Sequence, residues 1–250
     1  MSELPWKTIW ITGGSTGIGA ELAVRLAEKG AKVAVTARSH DKLELMVQEN
    51  SNIYAFPADV RDAKALAIAS AQIAHKIGAI DLVIFNAGTW EALKISEFDS
   101  EIYARIMQVN YQGVVNGIEA VLPDFLSRKS GHIAIVASVA GYCGLPHAAP
   151  YGASKAALIN LSESLYPELK LHGVKLSLIN PGFVDTPMTA ENDFPMPFMI
   201  SSEKAVDHII SGLKREKFEI AFPWKIVALL KFLRVLPYKL FFLLAPKPRK

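Results

Sequence analysis

Six short runs, rich in Val and Ile and apolar on consecutive positions, recur at residues 8–11, 32–37, 52–56, 81–85, 132–137 and 175–180. A strand with one wet face alternates apolar and polar residues. A strand apolar throughout is buried on both faces, as in a parallel sheet covered by helices. Stretches of helix-forming composition separate the runs, at 18–29, 42–49, 63–77, 101–126 and 151–172, with Gly30, Gly78 and Gly173 at their ends. The alternation predicts an α/β fold, a doubly wound parallel sheet with right-handed crossovers. Its expected strand order is 3-2-1-4-5-6-7, with residues 218–221 as the last strand. No repeat or composition break precedes residue 222, so residues 1–222 are expected to form one domain and 223–250 a tail.

Composition narrows the function classes. Hydrophobic residues make up 51% and charged residues 20%, too apolar for disorder. The single cysteine, Cys143, excludes an intramolecular disulfide framework and a cysteine-based metal cluster, and no metal site is expected. Residues 1–8 lack the basic-then-apolar pattern of a secretory signal, so the expected location is cytoplasmic. Seven of the 27 Lys and Arg, and none of the 24 Asp and Glu, fall in residues 220–250, which leaves the rest of the chain at net −4. An acidic body with a basic, apolar tail is not the pattern of a nucleic-acid binder.

The first run leads straight into Thr12-Gly13-Gly14-Ser15-Thr16-Gly17-Ile18-Gly19 and then a helix. A pyrophosphate can rest on free N–H groups at a helix N-terminus only where no side chain blocks it. Gly13 suits the tight turn, Gly17 the close backbone approach, and Gly19 the packing of the helix on the sheet. At the first strand–helix junction of an alternating chain, this turn points to a Rossmann-like dinucleotide site. The second run ends Thr36-Ala37-Arg38-Ser39, with no carboxylate for a ribose 2′-hydroxyl and an arginine suited to a 2′-phosphate. NADP(H) is therefore expected in preference to NAD(H).

Tyr151 and Lys155 open the last long helix, four residues apart and so on one face. A phenol titrates near pH 10, and a neighbouring ammonium lowers that value, so Tyr151 is expected to exchange protons with a substrate. Ser138 lies at the carboxyl end of the fifth run, where open parallel sheets bind ligands. Asn110 stands inside a predicted helix that it disfavours; it reads as a water or carbonyl ligand, or as a surface residue.

These motifs together resemble the short, single-domain branch of the short-chain dehydrogenase/reductase family, across residues 7 to about 220. The resemblance rests on Thr12–Gly19, Asp59-Val60, Asn86-Ala87-Gly88, Asn110, Ser138, Tyr151 with Lys155, and Pro181-Gly182-Phe183-Val184-Asp185-Thr186. It implies Tyr151 as general acid/base, Ser138 as carbonyl holder, Lys155 as ribose ligand and Asn110 as holder of a relay water. It also implies a cofactor site made by Gly13, Ser15, Thr16, Gly17, Ile18, Gly19, Arg38, Asp59, Val60, Asn86, Ala87, Gly88, Tyr151, Lys155, Pro181, Gly182, Val184 and Thr186. Asp59 and Val60 would meet adenine, and Val184 and Thr186 the carboxamide. Homodimers or homotetramers are implied as well. Phe85 departs from the family, which often has a second asparagine there; altered packing, with binding kept, is the expected result.

The implied activity is NADP(H)-dependent interconversion of a carbonyl and an alcohol. Segment 187–200, with three Met, two Phe and three Pro, reads as a lid over an apolar lipid-, acyl- or steroid-like substrate, or as a buried loop packed on the body. Alternatives are a 3-oxoacyl-thioester reductase and, from another class, a non-catalytic NADP(H) sensor or scaffold. In the tail, Ile226, Leu229, Leu230, Leu233 and Leu236 share one helical face, with Lys225, Lys231, Arg234 and Lys239 toward the other. Such a helix suits either the inner surface of an anionic membrane or packing on protein.

Overall fold

A computed structural model describes residues 4–190, 192 and 194–245. The strands are β1 (Thr8–Thr12), β2 (Lys32–Thr36), β3 (Ile53–Ala55), β4 (Leu82–Phe85), β5 (His132–Val136), β6 (Lys175–Pro181), the short pair β7 (Val184–Asp185) and β8 (Ile200–Ser201), and β9 (Glu219–Phe222). The helices are α1 (Gly17–Glu28), α2 (His40–Glu49), α3 (Ala63–Lys76), α4 (Ser100–Met107), α5 (Gly113–Arg128), α6 (Ala149–Leu171), α7 (Pro187–Ala190), α8 (Ser202–Lys214), α9 (Trp224–Arg234) and α10 (Tyr238–Leu244). Seven strands form one parallel sheet in the order β3-β2-β1-β4-β5-β6-β9. This is the predicted order, the two-residue strands β7 and β8 intervening in the chain before the last strand.

Burial explains the continuous apolar runs. Every residue of β1, β4 and β5 is buried, because helices cover both faces of the sheet. One core layer packs Trp10, Phe85 and Ile135 against α3, α5 and α6. The other packs Ile9, Ile84 and Ile179 against α1, α2 and α8.

Phe85 finds its room in the glycine opposite. A Cβ built on Gly117 of α5 would lie 2.2 Å from Cε1 of Phe85, whose ring also meets Trp10 edge-on at 6.4 Å. The large side chain at the end of β4 is thus matched by a missing one on the helix above it.

Helix α8 was not expected from the sequence, and two further stretches differ from the expectation. The helix predicted over 101–126 is α4 and α5 joined by a π-helical turn at Gln108–Gln112. The wider turn carries Asn110 inward, fully buried, so it is not a surface residue. In the tail, Pro237 separates α9 from α10. Ile226, Leu230, Leu233 and Phe241 enter the same core layer as α6, whereas Leu229, placed on that face by the sequence, is 47% exposed. Lys231 of α9 pairs with Glu219, which also accepts from the Tyr142 hydroxyl at 2.6 Å and from Asn180 Nδ2 at 3.0 Å. Burial pushes the Glu219 carboxyl up, but these three bonds outweigh it and hold its pKa below the ordinary value.

Gly117→Ala is expected to destabilise the fold by about 1–3 kcal/mol despite the better helix propensity of alanine. Gly117→Ala/Phe85→Leu should recover part of that loss; urea unfolding of the two variants and the parent measures both. An additive double variant removes the coupling.

Candidate active site

All the large strands run the same way, so their carboxyl ends meet along one edge, where a cleft of about 590 Å³ opens. Of the residues expected from the resemblance to be catalytic or to hold the cofactor, all line this cleft except Gly19 and Asn110.

The glycine turn forms one end. Gly13 has φ +65°, and a Cβ there would come within 2.6 Å of the Ala87 Cα. A Cβ on Gly19 would lie 2.3 Å from the Gly13 carbonyl oxygen and 2.5 Å from Asn86 Nδ2. Gly19 therefore makes room for the turn itself, rather than for the packing of helix on sheet expected from the sequence. Asn86 locks the arrangement: its amide donates to the Gly13 carbonyl at 2.9 Å and the Thr12 carbonyl at 3.3 Å. The Thr12 hydroxyl in turn accepts from the backbone N–H groups of Asn86 and Ala87. No acidic residue occupies the first turn of α1, and the Thr16 side chain caps none of its N–H groups.

Beyond β2 the cleft is lined by Arg38, Ser39 and Lys42, with Arg38 exposed. Lys42, in the first turn of α2, was missed in the sequence, although it follows Arg38 by four residues. Asp59 is bound by Arg61, whose Nη2 donates to Oδ2 at 2.6 Å; this bond, then the charge of Arg61, holds the Asp59 carboxyl below its ordinary pKa. Arg61, also missed, thereby pairs with the acidic residue that lines the cleft along with Arg38.

The middle of the cleft holds Ser138, Tyr151 and Lys155. The Ser138 hydroxyl accepts from the Ala140 N–H at 3.1 Å and reaches the Pro181 carbonyl at 3.4 Å, which fixes its direction. Lys155 Nζ donates to the Val136 carbonyl at 2.8 Å and lies 5.5 Å from the centre of the Tyr151 ring. Burial lowers the Lys155 pKa to about 8. Burial likewise raises the Tyr151 phenol, against a smaller downward pull from the Ser138 hydroxyl. The lowering expected from Lys155 does not appear: desolvation is the larger influence on the phenol, and the opposing pull comes from Ser138.

Asn110 stands behind this group. Its Oδ1 accepts from the Thr89 N–H at 2.7 Å, and its Nδ2 donates to the Thr89 carbonyl and to Ser154 Oγ, each at 3.0 Å. It anchors the chain just past Gly88. A Cβ on Gly88 would lie 3.5 Å from Asn110 Oδ1 and 3.6 Å from Lys155 Nζ.

An aromatic wall covers Tyr151. Trp90, which no local signal marked, meets the Tyr151 ring edge-on at 5.1 Å and Phe194 at 6.3 Å, and Phe194 meets Phe183 at 6.1 Å. The Trp90 indole donates to Asn192 Oδ1 at 2.9 Å, tying segment 187–200 to the strand-end loop after β4.

Comparison with known proteins agrees with this geometry. Residues 7–195 match the family described as short chain dehydrogenase. An uncharacterized oxidoreductase of Myxococcus xanthus is 35% identical over 245 residues, covering 96% of this chain and 97% of its own. One from Staphylococcus haemolyticus is 34% identical, covering 85% and 93%. Among solved structures, a short chain dehydrogenase of Burkholderia cenocepacia in complex with NADP superposes with a TM-score of 0.85 at 27% identity, over 98% of this chain and 100% of that one. A short-chain dehydrogenase of Streptomyces avermitilis gives 0.80 at 25% identity, over 90% and 92%.

At pH 7 Lys155 is charged both folded and unfolded, and only the folded state bears the cost of burying it. Since its folded pKa of about 8 lies below the ordinary 10.5, stability from this group rises with pH between those values, as the folded amine becomes neutral first. Lys155→Met is expected to raise the unfolding free energy of the ligand-free protein at pH 7 by roughly 1–3 kcal/mol. Urea unfolding measures it; a variant no more stable than the parent contradicts the buried charge.

Proposed function

This chain belongs to the short-chain dehydrogenase family, and we propose that it interconverts an apolar carbonyl compound and its alcohol with NADP(H). The observation that carries this reading is the convergence of Ser138, Tyr151 and Lys155 on the cleft that also holds the glycine turn. A dinucleotide fits the residues present: Gly13, Ser15, Thr16 and Gly17 line the cleft, and the free N–H groups of α1, with no acidic residue in its first turn, suit its pyrophosphate. Arg38 and Lys42 favour a 2′-phosphate, with Asp59 already neutralised by Arg61. When bound, the nicotinamide supplies or accepts the hydride.

The chain's own residues handle the proton and the position of the substrate. Tyr151, kept protonated by burial, gives its phenolic proton to the carbonyl oxygen as the alcohol forms. Ser138, held by the Ala140 N–H, directs its hydroxyl to the same oxygen. Lys155 steadies the phenolate left behind and, with its pKa near 8, can restore the proton at neutral pH. Asn110 positions Thr89 and Ser154 around them. Trp90, Phe183 and Phe194 support an apolar substrate, since polar groups beside that wall would lose water without gaining partners.

The test is NADPH oxidation against ketones and aldehydes graded by chain length, with turnover expected to rise with apolar length. Tyr151→Phe should bind NADPH like the parent and lose at least about 10²-fold in turnover. Retained turnover refutes the role. Arg38→Ala should weaken NADPH by about 1–3 kcal/mol and leave NADH nearly unchanged, as read by fluorescence titration. Equal losses for both cofactors remove the 2′-phosphate assignment.

A further inference from the structure

Helices α9 and α10 bury one flank and leave the other apolar and open. Ile226, Leu230, Leu233 and Phe241 face the core. Around them Trp224 is 72% exposed, Val235 76%, Tyr238 80% and Phe242 71%, with Phe232 and Leu243 also exposed. Scattered exposed apolar residues are ordinary, but these six within residues 224–243, with the Tyr238 and Phe242 rings stacked at 6.0 Å, mark a contact surface.

The charges around that surface are of one sign. Lys225, Arg234 and Lys239 form no ion pair among the described residues, and residues 220–245 contain no Asp or Glu. Lys225 Nζ lies 6.0 Å from the Trp224 ring and 5.4 Å from that of Phe198. Through Phe198 and Met199, each 46% exposed, the surface continues onto the segment whose Met188 lines the cleft.

From this surface we propose that α9 and α10 dock the protein on an anionic lipid bilayer, lying in its interface. Aromatic and aliphatic side chains enter the headgroup boundary while the cations meet lipid phosphates. At 11 and 7 residues the helices are about 16 and 10 Å long, against about 30 Å of hydrocarbon. No helix of the described residues is long and apolar enough to cross a membrane, so the contact is parallel to the surface. A second copy fits less well: a two-fold contact of this face upon itself brings together three cations from each copy and no acid from residues 220–245 to meet them. The docking stands on the surface alone and is independent of the hydride-transfer reading.

Sedimentation of the full-length protein with phosphatidylcholine vesicles, and with phosphatidylcholine–phosphatidylglycerol vesicles, tests it. Binding to the anionic vesicles is expected to exceed that to the neutral ones by at least about tenfold. Phe232→Glu/Phe242→Glu, changed only at exposed positions, should lose that binding with an unaltered circular dichroism spectrum. Lys225→Gln/Arg234→Gln/Lys239→Gln should bind both vesicle types equally weakly. Absence of anionic binding by the parent, or equal binding by parent and Phe232→Glu/Phe242→Glu, overturns the proposal. So does a parent that is dimeric in solution, ignores vesicles and becomes monomeric in the double glutamate variant, since a second copy then covers the face.

Discussion

The parallel direction of the seven main strands is the constraint on which the rest of the molecule depends. A parallel pair cannot be closed by a tight hairpin, so each return needs a crossover, and the crossover helices cover both faces. Covering both faces makes the strand interiors mostly apolar and gathers most polar side chains at strand ends; Ser177, inside β6, is buried only by bonding to His132 and the Lys217 carbonyl. At one edge those ends are Thr12, Thr36, Asn86, Ser138 and Pro181, and the cleft lies among them.

The same edge tolerates an expensive arrangement. Lys155 is 3% exposed and has one carbonyl partner from Val136, in a position where an apolar side chain would cost less. Its neighbours Tyr151 and Ser138 are likewise held more for geometry than for stability. Asn110 and Asn86 carry that geometry by bonding to backbone, the one past Gly88 and the other across the glycine turn. Two asparagines thus fix the loop after β4 from opposite sides.

The tail is joined to this edge through Glu219. Its carboxylate gathers Tyr142 from the loop after β5, Asn180 from the end of β6 and Lys231 from α9. A shift of α9 therefore acts on residues directly beside Pro181 and Gly182 of the cleft. Segment 187–200 is fixed separately, by the bond from Trp90 to Asn192 and the rings of Phe183 and Phe194.

Local rules carried much of this. Apolar runs without alternation gave a covered parallel sheet, and the glycine turn at the first strand–helix junction gave one end of the cleft, because strand period and turn geometry are short-range properties. The spacing of Tyr151 and Lys155 placed them on one face for the same reason. Tertiary structure decided the rest. Only the π-helical turn buries Asn110, only the approach of Asn86 explains Gly19, and only depth reverses the expected pKa of Tyr151. Trp90 reaches Tyr151 across 61 positions of chain. Contacts over such a separation depend on how helices pack on the sheet, and desolvation depends on everything packed around a group. Neither quantity is written in any local stretch of residues.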